Sequence, residues 1–262
     1  MEFLNDVNHT HCIGKTFRSN NFGEFIVKSY INSKNIEIEF VTTGSKVFTQ
    51  LNNIRKGQVK DPYYPSVYGV GVLGAKYAGY FIDTYGKKKI ICEYRVWQNM
   101  ISRCYSEKKH IKQPTYKGCS VSENFKHYEY FYEWCNRQIG FGNQGWNLDK
   151  DLLVKGNKVY SEDTCVFLPR ELNNLTIKSD SIRGEYPIGV SYKKCRGKFT
   201  AHINYGSNGQ KNLGYYKTPE EAFYAYKEAK EGFIKEQALK WKDKIDPRAF
   251  QALMNYVVDI KD

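Results

Sequence analysis

The sequence predicts an α+β protein in three modules. They are a small β-rich module over 1–75, a middle module of helices and a short strand hairpin over 76–178, and a C-terminal three-stranded antiparallel sheet packed on a helix over 183–262. Three observations predict this. Ile36-Glu-Ile-Glu-Phe40 alternates strictly between apolar and polar residues, as a half-buried strand does. Tyr94, Trp97, Met100, Ile101 and Cys104 recur at helical spacing, so one face of a helix is apolar. Thr218-Pro-Glu-Glu221 is a capping box with proline at the first helical position, and three strand-like runs precede it.

The elements follow in chain order. Phe25 and Val27 share one face of a strand over 22–30, and 31–35 supplies a turn to the alternating strand. Thr43-Gly44-Ser45 is a second turn, and 47–51 reads as a third strand. Asp61-Pro62-Tyr63-Tyr64-Pro65 breaks the pattern. Gly69, Gly71, Gly74 and Gly79 then read as a connector, since no Gly-Lys-Ser/Thr of a phosphate loop follows them. After the first helix, Phe125, Tyr128, Phe131, Tyr132, Cys135 and Ile139 predict a second, ended by Gly140, Gly142 and Gly145. Short strands are expected over 148–153 and 165–168, with a turn at Gly156-Asn157 and a helix opened by Pro169 and running to Leu175. Strands over 188–193, 198–205 and 210–216 come next, with turns at Cys195-Arg196-Gly197 and Gly206-Ser207-Asn208-Gly209. A long helix to Trp241 presents Ala222, Phe223, Tyr226 and Ile234 to the sheet. Asp246-Pro247 opens a final helix with Phe250, Leu253, Met254 and Val257 inward.

Composition narrows the function. Forty Lys and Arg stand against 28 Asp and Glu, a net charge of +12 over 262 residues, which suits a polyanionic partner and nucleic acid first. No apolar run approaches the ~18–20 residues of a membrane span. The N-terminal stretch lacks the basic-then-apolar pattern of a signal peptide, so the expected location is the cytoplasm. The seven cysteines are odd in number and form no Cys-x-x-Cys, which argues against a disulfide framework and against a structural zinc. His9-x-His11-Cys12 has no partner motif. His110 lies among Lys108, Lys109 and Lys112, in a loop that suits phosphate contact or a solvated surface equally.

Ile188-Gly-Val-Ser-Tyr192, Gly197-Lys-Phe-Thr-Ala-His-Ile203, Leu213-Gly-Tyr-Tyr216 and Thr218-Pro-Glu-Glu-Ala222 together resemble the APETALA2-type DNA-binding domain over about 55 residues. Period-two alternation independently sets Phe199, Ala201 and Ile203 against the helix, with Thr200, His202 and Asn204 opposite. Seven basic residues against one acid give 183–217 a charge of +6. The resemblance implies that the face away from the helix lies in the major groove. By position that face holds Ser191, Lys193, Arg196, Thr200, His202, Asn204, Gln210 and Asn212. Several strand arginines and a tryptophan of the plant pattern are replaced here, so base preference does not carry over.

The middle of the chain resembles HNH-type, ββα-metal nucleases of bacteriophages that carry a C-terminal APETALA2-like domain. The residues are Tyr94-Arg-Val-Trp97 through Tyr105, Cys119-Ser-Val-Ser-Glu-Asn-Phe125, Phe131-Tyr-Glu-Trp134, Leu148-Asp-Lys-Asp-Leu-Leu153, Tyr160-Ser-Glu-Asp-Thr-Cys165 and Glu171-Leu-Asn173. About 80 residues are covered. In that family a strand carboxylate and a helix Asn or His hold one hard divalent cation, and the residue after the carboxylate, a histidine, deprotonates water. Here Asp149 and Asn173 stand at the metal positions, and Lys150 replaces the basic histidine. Thr164 stands where a loop-bracing asparagine is expected. Magnesium or manganese suits these oxygen donors. A lysine near its ordinary pKa is a poor base at neutral pH, so Lys150 fits transition-state phosphate better, with the proton passing to solvent or Asp151.

The resemblance therefore implies a homing-like, site-selective endonuclease acting on double-stranded DNA in a host cytoplasm, with catalytic residues Asp149, Lys150 and Asn173. The alternative is a decayed nuclease that binds DNA or regulates without cutting. A third class is an interaction protein that meets a protein partner through the Tyr-rich N-terminal module. A chain ended after Leu175 is expected to lose tight DNA binding and to keep any weak nicking.

Overall fold

The structure is a computed structural model, and it describes residues 12–177, 184–206 and 209–261. His9, His11, Arg183 and the turn residues Ser207 and Asn208 lie outside the described residues. The architecture is α+β, and the chain divides into two units, Met1–Cys135 and Asn136–Asp262. That boundary falls inside the 76–178 stretch. Among the described residues no helix is long and apolar enough to cross a membrane. All seven cysteines are free thiols; Cys195 is exposed and five others are buried.

The first unit opens on an antiparallel sheet of order β1-β2-β3-β4, formed by β1 (Thr16–Ser19), β2 (Gly23–Asn32), β3 (Asn35–Phe40) and β4 (Lys46–Thr49). Alternation decides its core: Phe25, Val27, Ile36, Ile38 and Phe40 are buried together and covered by Ile54 of α1 (Leu51–Arg55). Leu51 therefore starts a helix rather than ending the third strand. Asp61, buried at 2% exposure, accepts hydrogen bonds from Thr43 Oγ1, Ser45 Oγ (2.7 Å) and the Tyr63 amide (2.9 Å). It ties the second turn to the Asp-Pro-Tyr-Tyr-Pro break.

The glycine-rich connector contains a hairpin the sequence reading omits, β5 (Tyr80–Ile82) paired with β6 (Lys88–Ile90). It leads into α2 (Cys92–Tyr105), whose Trp97, Met100, Ile101 and Cys104 are buried as their spacing predicts. The expected 106–116 loop instead contains α3 (Glu107–Lys112), with the His110 ring nitrogen 2.9 Å from the Arg103 carbonyl. After the short β7 (Ser120–Val121), the expected second helix is two helices, α4 (Glu123–Lys126) and α5 (Tyr128–Cys135). Val72 divides them. Its N–H donates to the Lys126 carbonyl and its carbonyl accepts from the Tyr128 N–H, both at 2.9 Å, so His127 is extended. The helix stops at Cys135, and Ile139 is exposed rather than core.

The second unit contains β8 (Trp146–Asp149), β9 (Val159–Tyr160), β10 (Val166–Pro169), α6 (Arg170–Leu175), β11 (Val190–Lys193), β12 (Lys198–Asn204), β13 (Gln210–Tyr216), α7 (Pro219–Trp241) and α8 (Pro247–Met254). β8 ends four residues earlier than expected, at Asp149. It pairs antiparallel with β10, setting Asp149 opposite Val166. β11, β12 and β13 form the expected antiparallel sheet. The Thr218 capping box is formed, Asp246 caps α8, and Val257 is exposed beyond the end of α8.

Helix α7 joins two cores. Its first turns pack Ala222, Phe223 and Tyr226 against Ala201 and Ile203 of the sheet. Its later turns pack Ile234 and Ala238 against Leu152, Val166, Leu168 and Leu172 of the β8–β10 hairpin and α6. Ile245, Ala249 and Leu253 complete that second core. Ile234 thus faces the hairpin, not the sheet. A 23-residue helix spans roughly 34 Å, enough to serve both. The hairpin does not close a core without residues beyond 233, which argues against a chain ended at Leu175 keeping its fold.

Candidate functional site

Asp149 is the last residue of β8, and the chain turns sharply after it. The turn is held by the carboxylate itself: Oδ1 accepts the backbone N–H of Asp151 (3.0 Å) and of Leu152 (2.8 Å). Leu152 points into the core below, so the turn is anchored from both sides. Asp149 is 9% exposed. Burial pushes its pKa up to about 6, and the nearby Asp151 charge adds to this; the two amides and Lys150 pull the other way. Among the described residues Oδ2 has no hydrogen-bond partner.

Lys150 points away from the role of a free base. It is buried at 8% exposure, and Nζ donates to Asp151 Oδ2 (3.1 Å) and to the Asn157 carbonyl (3.0 Å). Its ammonium lies 5.6 Å from the centre of the Tyr160 ring. The loop it closes is braced by Asn157, whose Nδ2 donates to the carbonyls of Lys150 (2.7 Å) and Val159 (2.6 Å) while Oδ1 accepts the Val159 amide (3.1 Å). Sequence reasoning gave Asn157 only a turn role; the signal was its place in Gly156-Asn157, seven residues after Lys150. Thr164 also braces, donating to the Val159 carbonyl (2.8 Å) and accepting the Ser161 amide (3.2 Å). Cys165 beside them is fully buried, which drives its thiol pKa up to about 12 and leaves it inert.

Asn173 sits on α6, which packs on the hairpin through the fully buried Leu172. Glu171 holds the helix from outside by accepting the Trp241 indole N–H at 2.6 Å. Asn173 is half-buried, its carbonyl accepts the Thr176 hydroxyl (3.2 Å), and its carboxamide has no partner among the described residues. Among the described residues no three His, Cys, Asp or Glu side chains converge on one point. At the two expected metal positions, Asp149 Oδ2 and the Asn173 carboxamide are without hydrogen-bond partners among the described residues.

The sheet carries the second set of residues. Ser191 pairs with Thr200 and Thr200 with Tyr215, while His202 pairs with Asn212 and Asn204 with Gln210. The register slips between Ala201 and His202, so Leu213 is the extra residue of a bulge. Strict alternation from Asn212 would turn Tyr215 inward. The bulge turns it outward instead and leaves Tyr216 packed on the core. The Arg196 guanidinium lies over the Tyr215 ring at 4.4 Å. Lys193, Arg196, Asn204, Gln210 and Asn212 are exposed, and Ser191 and His202 are half-buried. Thr200 differs from expectation: it is 1% exposed, and its hydroxyl donates to Asn212 Oδ1 at 3.3 Å. It positions Asn212, which also accepts the Gly214 amide at 2.8 Å, and offers no surface of its own. Partial burial and the Lys193 charge lower the His202 pKa.

No protein-family model, curated protein or solved structure matches the chain.

Proposed function

We propose that the chain is a metal-dependent endonuclease of the HNH type, built like the phage enzymes it resembles, in which the β8–β10 hairpin and α6 carry the chemistry and the C-terminal sheet holds duplex DNA. The observation that supports this most is Asp149. It is a 9%-exposed carboxylate with one oxygen fixed by two backbone amides and the other unpartnered. It lies in a hairpin leading directly to the helix that bears Asn173.

Magnesium or manganese bound there would supply the positive charge that offsets charge developing on a scissile phosphate. Asp149 and Asn173 would hold it, and the two amides on Oδ1 keep Oδ2 aimed before any ligand arrives. Asp149 is ionised at neutral pH despite its burial, because its pKa is about 6. Lys150 adds a fixed charge beside the phosphate. Its donations to Asp151 and Asn157 leave it unsuited to accept a proton. Asp151, half-exposed, or solvent takes that proton. The sheet contributes affinity through Lys193 and Arg196 and register through His202, Asn204, Gln210 and Asn212.

The engagement of Lys150 favours one other reading, a DNA-binding regulator that does not cut. Supercoiled plasmid separates the two. Nicking with Mg²⁺ or Mn²⁺ that stops in EDTA and in Asp149→Ala supports the nuclease. Gel retardation with no nicking under any metal supports the regulator. A chain that retains no DNA at about 50 mM salt removes both.

A further inference from the structure

The β5–β6 hairpin stands apart from every core. Each of its six strand residues is exposed. Phe81 is 53% exposed, Ile82 60% and Tyr85, at the turn, 86%. A two-stranded hairpin is marginal by itself in water. This one is held at both ends. At the turn, Asp83 Oδ1 accepts the amides of Tyr85 (2.9 Å) and Lys87 (2.8 Å), and the Gly86 amide donates to the Asp83 carbonyl at 3.0 Å. At the root, the Ile91 amide donates to the Gly79 carbonyl, and Ile91 is the N-cap of α2. Gly79 lies flat on the Tyr94 ring, where an added Cβ would come within 2.9 Å. The ribbon is therefore a built arm on a rigid base.

Its charge is one-sided in sign and two-sided in space. Lys87, Lys88 and Lys89 face a single acid, Asp83, which is 3.7 Å from Lys89 Nζ. The register sets Tyr80 opposite Ile90, Phe81 opposite Lys89 and Ile82 opposite Lys88. Pleating then places Lys88 with Tyr80, Ile82 and Ile90 on one face, and Lys89 with Phe81 on the other. Lys88 Nζ lies 3.7 Å from the Tyr80 ring centre, consistent with that face. A protein partner covering the ribbon would meet one face. A groove with phosphates on both walls meets both, and cations on both faces match it.

We infer that the β5–β6 ribbon is a second DNA-contacting element that enters the major groove of duplex DNA, with Lys87–Lys89 toward the phosphates and Tyr85, at the tip, toward the base edges. This rests on the DNA-binding reading above. Size selects the groove: two strands about 4.8 Å apart with their side chains fit a major groove about 12 Å wide and not a minor groove about 6 Å wide. Three residues of strand reach about 10 Å, close to the major-groove depth of about 8.5 Å. The Tyr85 ring at the tip has thymine methyl groups to meet.

The test uses the full chain and a mixed-sequence duplex. Anisotropy titrations across salt are compared for the parent and for the Lys87→Ala/Lys88→Ala/Lys89→Ala triple variant, with guanine N7 methylation protection as the groove readout. The triple variant should lower the salt-dependence slope by about two to three units. Tyr85→Ala should keep the slope and lose a patch of N7 protection. All side chains altered are exposed, and an unchanged melting curve checks the fold. If the parent binds and the triple variant has the same slope and the same protection, the inference is wrong while the DNA-binding reading stands. If Tyr85→Ala instead dissociates a dimer and leaves DNA affinity unchanged, the ribbon meets a second copy and the inference is again wrong. If the parent itself retains no DNA at about 50 mM salt, the DNA-binding reading fails and the ribbon's role fails with it.

Discussion

Ile234→Ala tests whether the hairpin and the C-terminal helices are one folding unit. Ile234 is fully buried, and its neighbours in the core are Leu152, Val166, Leu168 and Leu172 from the hairpin side and Ala238, Ala249 and Leu253 from the helices. Truncating a buried Ile to Ala costs about 2–5 kcal/mol, with the upper part of that range applying where the surroundings cannot collapse into the gap. Here the cavity would be walled by a strand pair and two helices, so a loss of about 3 kcal/mol is expected, and with it a fall of roughly 10 °C in melting temperature. The perturbed residue lies on α7, far along the sequence from Asp149. Urea denaturation followed by tryptophan fluorescence and far-UV circular dichroism reports it, because two of the four tryptophans, Trp146 and Trp241, pack against this core 5.8 Å apart. A chain ended after Leu175 should show no cooperative transition of the hairpin. A loss below about 1 kcal/mol for Ile234→Ala, or a cooperative hairpin transition in the shortened chain, would refute the shared core.

Other predictions concern charge and bracing. Asp149 has a folded pKa of about 6, above its unfolded value of 3.8, so its ionisation works against folding. Stability should fall as pH rises from about 4 to about 6, and Asp149→Asn should remove that fall, gaining on the order of 2–3 kcal/mol at neutral pH in urea titrations. Metal-dependent cleavage should run the other way, rising with pH through about 6; a rate flat from pH 5 to 8 would contradict it. Asn157→Ala removes three hydrogen bonds from the loop that positions Lys150, and should cost about 1–3 kcal/mol by thermal melting and slow cleavage as well. Arg196→Ala should lower the salt-dependence slope of DNA binding by about one unit. Thr200→Val should weaken binding without changing that slope, since Thr200 acts through Asn212.

What the sequence made legible follows from range of interaction. Strands β2 and β3, helix α2, the α7 cap and the strand–helix order around Asp149 are local patterns of period, cap and turn, and they appear where expected. The break at His127 needed a backbone bridge to Val72, fifty-five residues away, which no local pattern carries. The bulge at Leu213 turns Tyr215 outward, and nothing in Leu213-Gly214-Tyr215 distinguishes it from an even strand. The period of two sets Thr200 opposite the helix, but its burial depends on Asn212 and Tyr215 from the neighbouring strand. The division of α7 between two cores is tertiary: Phe223 and Ile234 look alike in the helical period and face different partners. At the candidate centre the strand end at Asp149 and the helix bearing Asn173 were legible as local elements. The bracing by Asn157 and the engagement of Lys150 were not, because both depend on how the 150–159 loop folds back on itself.

The central claim is that Asp149 and Asn173 hold the cation for phosphodiester cleavage. The most direct measurement is the Mn²⁺-dependent nicking rate of plasmid at pH 7.5 for the parent chain, Asp149→Asn, Asn173→Asp and Asn173→Leu, each checked for an intact melting transition. The account predicts nicking by the parent, retained nicking by Asn173→Asp, which keeps an oxygen donor, and loss of at least a hundredfold in Asp149→Asn and Asn173→Leu (roughly 3 kcal/mol of transition-state stabilisation). Nicking by Asp149→Asn at the parent rate, or a parent chain that binds DNA and Mn²⁺ yet never nicks, would contradict it.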